Sequence, residues 1–287
     1  MSEAWTPLRL LGWTQGFFAG QGVDAPRLTA ELLLAHALGC DRVRLYLDFD
    51  KPLGDPELAR YRELVKRRAG GEPTAYLTGT REFFGHRLAV DPRVLIPRPE
   101  TELLAELALE LLPEGGAALD LGTGSGALAI ALALGRPGAR VTAVDLSPGA
   151  LEVARANAGA LGAAVTFLAG DLYEPLPAGA RFQVIVSNPP YVPSGELPGL
   201  QREVRREPLL ALDGGADGLD LLRRVVAGAP ARLEAGGALL VEMHESHLEA
   251  LPALCRAAGF ASAEARRDLA GLPRLTLARM AAAAPGA

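Results

Sequence analysis

Several features that would each assign a chain to a class of protein are missing from this 287-residue sequence. It has two cysteines, Cys40 and Cys255, which are too few for a disulfide framework and favour a reducing compartment. No apolar run approaches the roughly 18 residues that predict a spanning helix. The first residues lack the charged-then-apolar order of a signal peptide. We therefore expect a cytoplasmic protein without a membrane segment.

An excess of positive charge is also missing. The chain has 29 lysines and arginines against 34 aspartates and glutamates, a net charge of −5. The first 73 residues have ten lysines and arginines and ten aspartates and glutamates. The negative net charge of the whole chain therefore does not mask a basic domain in that region. Because nucleic-acid-binding domains concentrate positive charge on one face, we expect no direct nucleic-acid partner.

Metal ligands are scarce as well. The chain has only four histidines, and His244 and His247 stand three positions apart, whereas a helical zinc motif spaces its histidines by four. We therefore expect no metal site.

The tetrad Asn188-Pro189-Pro190-Tyr191 is the most informative segment that is present. It follows an apolar run over residues 182–187 that predicts a buried parallel strand, and open α/β sheets bind ligands beyond the carboxyl ends of such strands. Two prolines remove backbone donors and fix φ. The remaining acceptors are the Asn188 side-chain oxygen and the Pro189 carbonyl, beside the Tyr191 ring. Such an array suits a planar NH2 group, although an Asn-Pro dipeptide alone also begins ordinary turns.

Upstream, a short apolar strand beginning at Ala118 leads through Asp120 into a glycine-rich turn and then into an Ala/Leu-rich helix. Glycines let a ligand approach the backbone closely, and the helix N-terminus offers free N–H groups. By itself this turn also satisfies a relaxed dinucleotide-binding fingerprint. The candidate binding residues of the turn are Gly122, Thr123, Gly124, Ser125 and Gly126.

Acidic residues end three successive predicted strands. Asp120 would repel a pyrophosphate but could hold a cationic amino-acid group. Asp145 ends a strand over residues 140–145 and could accept hydrogen bonds from both hydroxyls of a ribose. Asp171, with Leu172 beside it as a further contact, could meet an adenine amine. Each acid alone could be a helix cap or a solvated loop residue, but the three in order favour an S-adenosylmethionine site.

The glycine-rich turn and the tetrad together resemble the class I S-adenosylmethionine-dependent methyltransferases that modify planar amino or amide nitrogens. The run Pro97-Arg98-Pro99-Glu100-Thr101-Glu102 narrows this resemblance to the HemK/PrmC family, the release-factor glutamine methyltransferases. Further matching segments are residues 71–79, 82–85, 206–212 and 267–274. The resemblance covers residues 66–279 but departs over residues 241–247, where the family commonly has a glycine and later a glutamine.

The resemblance implies an α/β fold with the seven-stranded, Rossmann-like sheet of class I methyltransferases and S-adenosyl-L-methionine as the cofactor. It implies that the target is the glutamine of a Gly-Gly-Gln loop in a peptide-chain release factor. Asn188, Pro189, Pro190 and Tyr191 would form the catalytic and substrate-binding group, with Asn188 also a cofactor contact. Asn188 and the Pro189 carbonyl would accept the two amide N–H bonds, while Pro190 and Tyr191 pack against the amide plane.

Along the chain we predict three parts. Residues 1–73 form a helical bundle for substrate recognition, with one helix that has Asp24 as its N-cap and ends at Gly39. Residues 74–97 form a β-hairpin connector that turns near Gly85. Residues 98–287 form the S-adenosylmethionine-dependent methyltransferase domain, whose last two strands pair antiparallel at one edge.

Three other functions stay open. The nearest is an amine methyltransferase acting on adenine or cytosine of DNA or RNA, because a flipped base presents the same planar NH2. A nicotinamide oxidoreductase would leave the tetrad unexplained. A non-catalytic subunit that binds the cofactor and scaffolds a partner would not require both the tetrad and the glycine-rich turn.

Overall fold

The computed structural model describes residues 4–268 and 270–283. The chain divides into two compact units. The first unit runs to Thr80 and also contains Gln201–Arg206, and the second comprises Arg81–Leu200 and the residues from Glu207 onward. The division falls at Thr80, inside the connector predicted over residues 74–97.

The first unit is helical. Its helices are α1 Pro7–Gly20, α2 Pro26–Leu38, α3 Arg42–Leu47, α4 Asp55–Ala69 and α5 Thr74–Thr78. As predicted, α2 ends at Gly39, which adopts the left-handed φ of 65° that favours glycine. The predicted start was wrong, because the N-cap is Ala25 and Asp24 contributes only its backbone carbonyl, which accepts from the Thr29 hydroxyl at 3.1 Å. A proline at the first helical position sets the φ that begins this helix without a side-chain cap.

The segment Gln201–Arg206 is held to the end of α4 by charge and by close packing. The Arg68 guanidinium, whose side chain is 6% exposed, pairs with Glu203 at 2.6 Å. Arg206 donates to the Gly70 carbonyl at 3.3 Å. A Cβ on Gly71 would lie 3.3 Å from the Cβ of Arg202, so the backbone approaches this segment closely. Residues far downstream in sequence therefore complete the helical unit.

A β-hairpin follows α5, as predicted. Its strands are β1 Thr80–Phe83 and β2 His86–Ala89. The two connecting residues, Phe84 and Gly85, have φ of 49° and 74°. Two consecutive positive φ angles are the geometry of a type I′ turn, whose twist matches that of the paired strands.

The second unit is an α/β sandwich, which confirms the predicted fold class. Its helices are α6 Thr101–Leu111, α7 Ala127–Gly135, α8 Pro148–Leu161, α9 Asp220–Gly228 and α10 Ala250–Ala257. Its strands are β3 Ala117–Leu121, β4 Arg140–Asp145, β5 Val165–Ala169, β6 Phe182–Ser187, β7 Leu233–Glu242, β8 Ser262–Arg267 and β9 Pro273–Arg279. In the part of the chain that the structure describes, these form one seven-stranded sheet.

The strand order places the site. The sheet runs β5-β4-β3-β6-β7-β9-β8, parallel from β5 to β7, with β9 antiparallel to both of its neighbours. The chain moves outward from β3 in one direction and returns to place β6 on its other side, so a crevice opens between these two strands. Leu121 of β3 is in register with Val144 of β4 and Ser187 of β6. The glycine-rich turn, Asp145 and the tetrad therefore leave the sheet at one level.

Apolar side chains fill both faces of this sheet. All five residues of β3 are buried, and α7 is an apolar helix that packs against it. Helix α9 shows the opposite pattern, with Leu222, Val225 and Val226 buried on one side and charged residues on the other. None of the described helices is long and apolar enough to cross a membrane.

Candidate functional site

A cavity of about 460 Å³ opens where the glycine-rich turn and the tetrad meet. Its size falls in the range of roughly 300–1,000 Å³ that is usual for small-molecule sites. The predicted residues that line it are Gly122, Thr123, Gly124, Ser125, Asp145, Asp171, Leu172, Asn188 and Pro190. The predicted residues that do not line it are Asp120, Gly126, Pro189 and Tyr191. One cavity thus joins the two regions that the sequence singled out separately.

The glycine-rich turn is shaped by hydrogen bonds to β4. The N–H groups of Gly122 and Thr123 donate to the Val144 carbonyl at 2.8 and 3.1 Å. Gly126 has a φ of 85°, and a Cβ there would lie 3.2–3.3 Å from atoms of Ala154. This position therefore accepts glycine more readily than any other residue, and α7 begins directly after it.

Asp145 lies on the cavity wall with its carboxylate already fixed. One oxygen accepts from the Gly124 N–H and the other from the Ser147 N–H, both at 2.8 Å. Burial raises the pKa of Asp145, and these two N–H bonds oppose the rise. Each oxygen keeps a lone pair for a further donor, which is what a ribose with two hydroxyls requires. Leu146 adjoins it with an exposed apolar side chain on the same cavity.

Asp120 lies beneath the turn and is fully buried. One carboxylate oxygen accepts from the Thr123 hydroxyl at 2.6 Å and from the Ala129 N–H at 3.2 Å, while the other has no hydrogen-bond partner among the described residues. Burial raises the pKa of Asp120 to about 7, and the nearby Asp145 carboxylate adds to the rise. Asp120 therefore ties β3 to the turn and to α7 from below.

Asp171 lines the cavity next to Leu172, but its carboxylate is paired with Arg224 of α9 at 2.7 Å. Arg224 lines the same cavity and was not anticipated from the sequence. Since both side chains are partly exposed, solvent weakens this pair, so it stabilises little by itself. It does fix the direction in which the carboxylate points.

The tetrad belongs to a buried hydrogen-bond network. The Asn188 amide nitrogen donates to the Thr101 hydroxyl at 3.2 Å, and that hydroxyl donates to Glu242 at 2.6 Å. The Tyr191 hydroxyl donates to the other Glu242 oxygen at 3.2 Å. Burial raises the pKa of Glu242 to about 7 and, with the Glu242 charge, raises that of Tyr191. Thr101 and Glu242 thus connect the first and last residues of the tetrad.

The Pro-Arg-Pro-Glu-Thr-Glu run is anchored at several points. Glu207, which is buried, accepts from Arg98 at 2.6 Å and from the Ile96 N–H at 3.0 Å. Glu102 accepts from the Phe84 N–H at the hairpin turn, at 2.9 Å. The run therefore connects the hairpin and the segment at Glu207 to the cavity wall.

Comparison with known proteins identifies two regions of the chain. A family model described as PrmC N-terminal domain matches residues 9–79, and one described as Methyltransferase small domain matches residues 100–199. The release factor glutamine methyltransferase of Geobacter sulfurreducens is 48% identical over 97% of this chain and 98% of its own length. That of Bordetella pertussis is 51% identical over 88% of this chain and 94% of its own length.

The chain belongs to the release factor glutamine methyltransferase family.

Solved structures of other methyltransferases share the fold of this family member. The 16S rRNA N2 G1207 methyltransferase of T. thermophilus, in complex with AdoMet and guanosine, has a TM-score of 0.55 and 24% identity. It aligns with 70% of this chain and 49% of its own. A methyltransferase from Pyrococcus furiosus has a TM-score of 0.53 and 21% identity over 69% of this chain and 90% of its own.

The histidines in the segment that departs from the family pattern are engaged locally. His244 bonds to the Ser246 hydroxyl at 2.8 Å, and the buried His247 bonds to the Asp217 carbonyl at 3.1 Å. Among the residues described, no group of three or more His, Cys, Asp or Glu side chains could hold a metal ion.

Three residues of this family member's site were not singled out from the sequence. Glu242 fell within the divergent segment and was given no role, and Arg224 fell within a helix. Thr101 lay in the most specific run of the resemblance, yet nothing local indicates a hydrogen bond across 141 residues to Glu242. A polar residue directly after the apolar run at residues 238–241 was the one signal available for Glu242.

Asn157 of α8 supports the glycine-rich turn from the outside. Its amide nitrogen donates to the Ser125 and Ala89 carbonyls at 2.9 and 3.0 Å, and its oxygen accepts from the Ala89 N–H at 2.7 Å. The side chain is 3% exposed and its bond to the Ser125 carbonyl is buried, so water cannot readily replace that bond. It joins β2 to the turn.

Replacing Asn157 with alanine is expected to destabilise the protein by about 1–3 kcal/mol, because the buried Ser125 carbonyl loses its partner together with the two backbone groups of Ala89. Urea unfolding followed by circular dichroism measures this. The control is Asn188→Ala, which also removes an asparagine, one that is partly buried, but leaves no backbone group without a partner. Equal midpoints for the Asn157→Ala variant and the parent would contradict the structural role.

Proposed function

We propose that this protein transfers a methyl group from S-adenosyl-L-methionine to the side-chain amide nitrogen of the glutamine in the Gly-Gly-Gln motif of peptide-chain release factors. Family membership supports the reaction and the substrate. The observation that carries the proposal is a single cavity lined by Asp145 and the glycine-rich turn together with Asn188 and Pro190.

The residues present fit the cofactor. Asp145 offers free lone pairs on both oxygens for the ribose hydroxyls, and Leu146 offers an apolar surface for the adenine. Gly122–Ser125 would face the methionine part, with Asp171 and Leu172 toward the base. Asp120 and Gly126 would act from behind the turn by holding its shape. When bound, the cofactor supplies an electrophilic methyl group on a sulfonium.

The protein must make a poor nucleophile reactive. The lone pair of a carboxamide nitrogen is shared with its carbonyl, as the barrier of roughly 18–20 kcal/mol to peptide C–N rotation reflects. The Asn188 side-chain oxygen and the Pro189 carbonyl would accept the two N–H bonds and fix the direction of the nitrogen. Fixed acceptors also stabilise the positive charge that develops on nitrogen during transfer. Pro190 and Tyr191 would pack against the amide plane.

The test is methylation of a purified release factor with labelled S-adenosylmethionine, followed by fragmentation mass spectrometry of the Gly-Gly-Gln segment. We expect a gain of one methyl group on the glutamine side chain. Label found only on added DNA or tRNA would support the amine methyltransferase alternative and overturn the proposed substrate.

We further propose that the helical unit recognises the protein substrate. Its surface carries exposed apolar side chains, including Trp5, Leu8, Val43, Leu47 and Phe49. Some are neighbours, since the Leu8 N–H donates to the Phe49 carbonyl at 3.1 Å. Exposed apolar groups that adjoin one another are typical of a surface that binds protein, whereas a nucleic-acid surface is dominated by positive charge.

Replacing Leu8 and Leu47 together with serine is expected to lower kcat/KM for the intact release factor by about tenfold or more, as the loss of central apolar contacts does at interfaces. Activity on a short peptide that contains Gly-Gly-Gln should not change. The matched control is Leu272→Ser, an exposed leucine of the second unit. Parental kinetics of the double variant on the intact factor would show that this surface is not used.

A further inference from the structure

Asn188 can act as an acceptor only if its amide is turned the right way. The oxygen and nitrogen of an asparagine amide have the same shape, so a rotation of 180° about the last side-chain bond exchanges an acceptor for a donor. The proposed chemistry needs the oxygen toward the substrate, because the substrate amide presents two N–H donors. Something in the protein must therefore discriminate between the two orientations.

The hydrogen-bond directions in the buried network provide that discrimination. At a pH above its pKa of about 7, Glu242 is ionised and can only accept, so the hydroxyls of Thr101 and Tyr191 must both donate to it. A threonine hydroxyl has one hydrogen, and that of Thr101 is donated to Glu242. Its oxygen can then only accept, which requires the NH2 side of Asn188 to face it. The Asn188 oxygen is left without a hydrogen-bond partner among the described residues, and Asn188 lines the cavity.

The sheet explains why these residues meet. Ser187, the last residue of β6, is in register with Val241 of β7, so Asn188, which directly follows β6, comes next to Glu242, the last residue of β7. Thr101 is the first residue of α6 and is 4% exposed. Their contact therefore follows from strand pairing and from the placement of one helix end.

The burial of Glu242 also points away from a purely structural role. Its side chain forms no ion pair within the described residues, and Arg274, whose charge acts to lower the pKa of Glu242, is engaged by Asp268 at 2.7 Å. Burying a carboxylate without a counter-charge costs stability. A hydrophobic or neutral residue at this position would destabilise the folded state less.

We propose that Thr101 and Glu242 are positioning residues that orient the Asn188 side-chain amide, so that its oxygen and not its nitrogen faces the substrate. The inference rests on the proposed function, since it concerns the same reaction.

Replacing Thr101 with valine keeps the shape and removes the hydroxyl, and Thr101→Ser restores it. We expect Thr101→Val to lower kcat on the release factor about tenfold, the effect of losing one hydrogen bond, while the KM for S-adenosylmethionine stays near the parental value. Thr101→Ser should recover kcat to within about twofold of the parent. Glu242→Gln should also lower kcat, because its amide can donate to Thr101 and free that hydroxyl to bond the Asn188 oxygen.

A double-mutant cycle separates orientation from general damage. If Thr101 acts through Asn188, Thr101→Val should have almost no further effect on kcat in an Asn188→Ala background. The unfolding midpoint of Glu242→Gln should equal or exceed that of the parent, because a buried charge has been removed.

The inference is overturned if Thr101→Val keeps the parental kcat, or if it loses the same factor in both backgrounds. It is also overturned if Glu242→Gln is less stable in proportion to its lost activity. Failure of the proposed function would look different, since the parent enzyme itself would then place no methyl on the release factor.

Discussion

Methyl transfer should slow by roughly a hundred- to a thousandfold when Asn188 is replaced with alanine. In the proposed mechanism the change removes an acceptor that faces the positive charge developing on the nitrogen, and comparable losses in preorganised sites cost about 2.7–4 kcal/mol. Binding of S-adenosylmethionine should change much less, because Asp145 and the glycine-rich turn are untouched. Single-turnover rates on a release factor, read as methyl gained on the Gly-Gly-Gln glutamine, measure the effect.

Two variants bracket this result. Asn188→Asp keeps the size and one acceptor oxygen but adds a negative charge close to the buried Glu242, so its activity should be impaired as well. Tyr191→Ala should have a smaller effect, seen mainly in the KM for the release factor, because in the proposed mechanism the ring would pack against the amide without accepting from it. An Asn188→Ala enzyme within a few-fold of the parental rate would refute the mechanism.

The second large effect is expected at Asp145. Asp145→Ala should weaken the binding of S-adenosylmethionine by more than about tenfold, because a pair of charge-assisted hydrogen bonds is lost. The structure adds a second reason, since the Gly124 and Ser147 N–H groups lose the acceptor that fixes them. Isothermal calorimetry with the cofactor or its demethylated product gives the affinity.

Asp145→Asn is the matched variant, because it retains one oxygen and should lose less affinity than alanine does. Glu264→Gln, at an exposed position of β8, removes an equal charge away from the cavity and should bind normally. Unchanged affinity in Asp145→Ala, or preferential binding of a nicotinamide cofactor, would contradict the cofactor assignment.

Features encoded locally in the sequence were predictable. The glycine-rich turn, the apolar strand before the tetrad and the acids at strand ends each depend on a few adjacent residues, and the structure brings the turn, Asp145, Asp171 and Asn188 to one cavity. The hairpin turn at Gly85 was predictable for the same reason. A residue with positive φ and the end of a strand can each be recognised from a few adjacent residues in the sequence.

Features that depend on which side chains meet were not predictable. Asp120 was expected to face a ligand, yet it lies behind the turn because its carboxylate satisfies Thr123 and Ala129. The pairing of Asp171 with Arg224 joins residues 53 positions apart. Such contacts are set by strand register and helix placement, which no single segment specifies.

The placement of Gln201–Arg206 in the helical unit bears on how the protein is made. Arg68 and its partner Glu203 are separated by 135 residues, which a ribosome adds in roughly 7–27 seconds at about 5–20 residues per second. During that interval the nascent helix α4 has no carboxylate from this segment against which to bury Arg68. The helical unit is therefore the first to leave the ribosome, but it lacks one of its segments until Gln201–Arg206 has been synthesised. Strands β3 to β6 are synthesised before that segment.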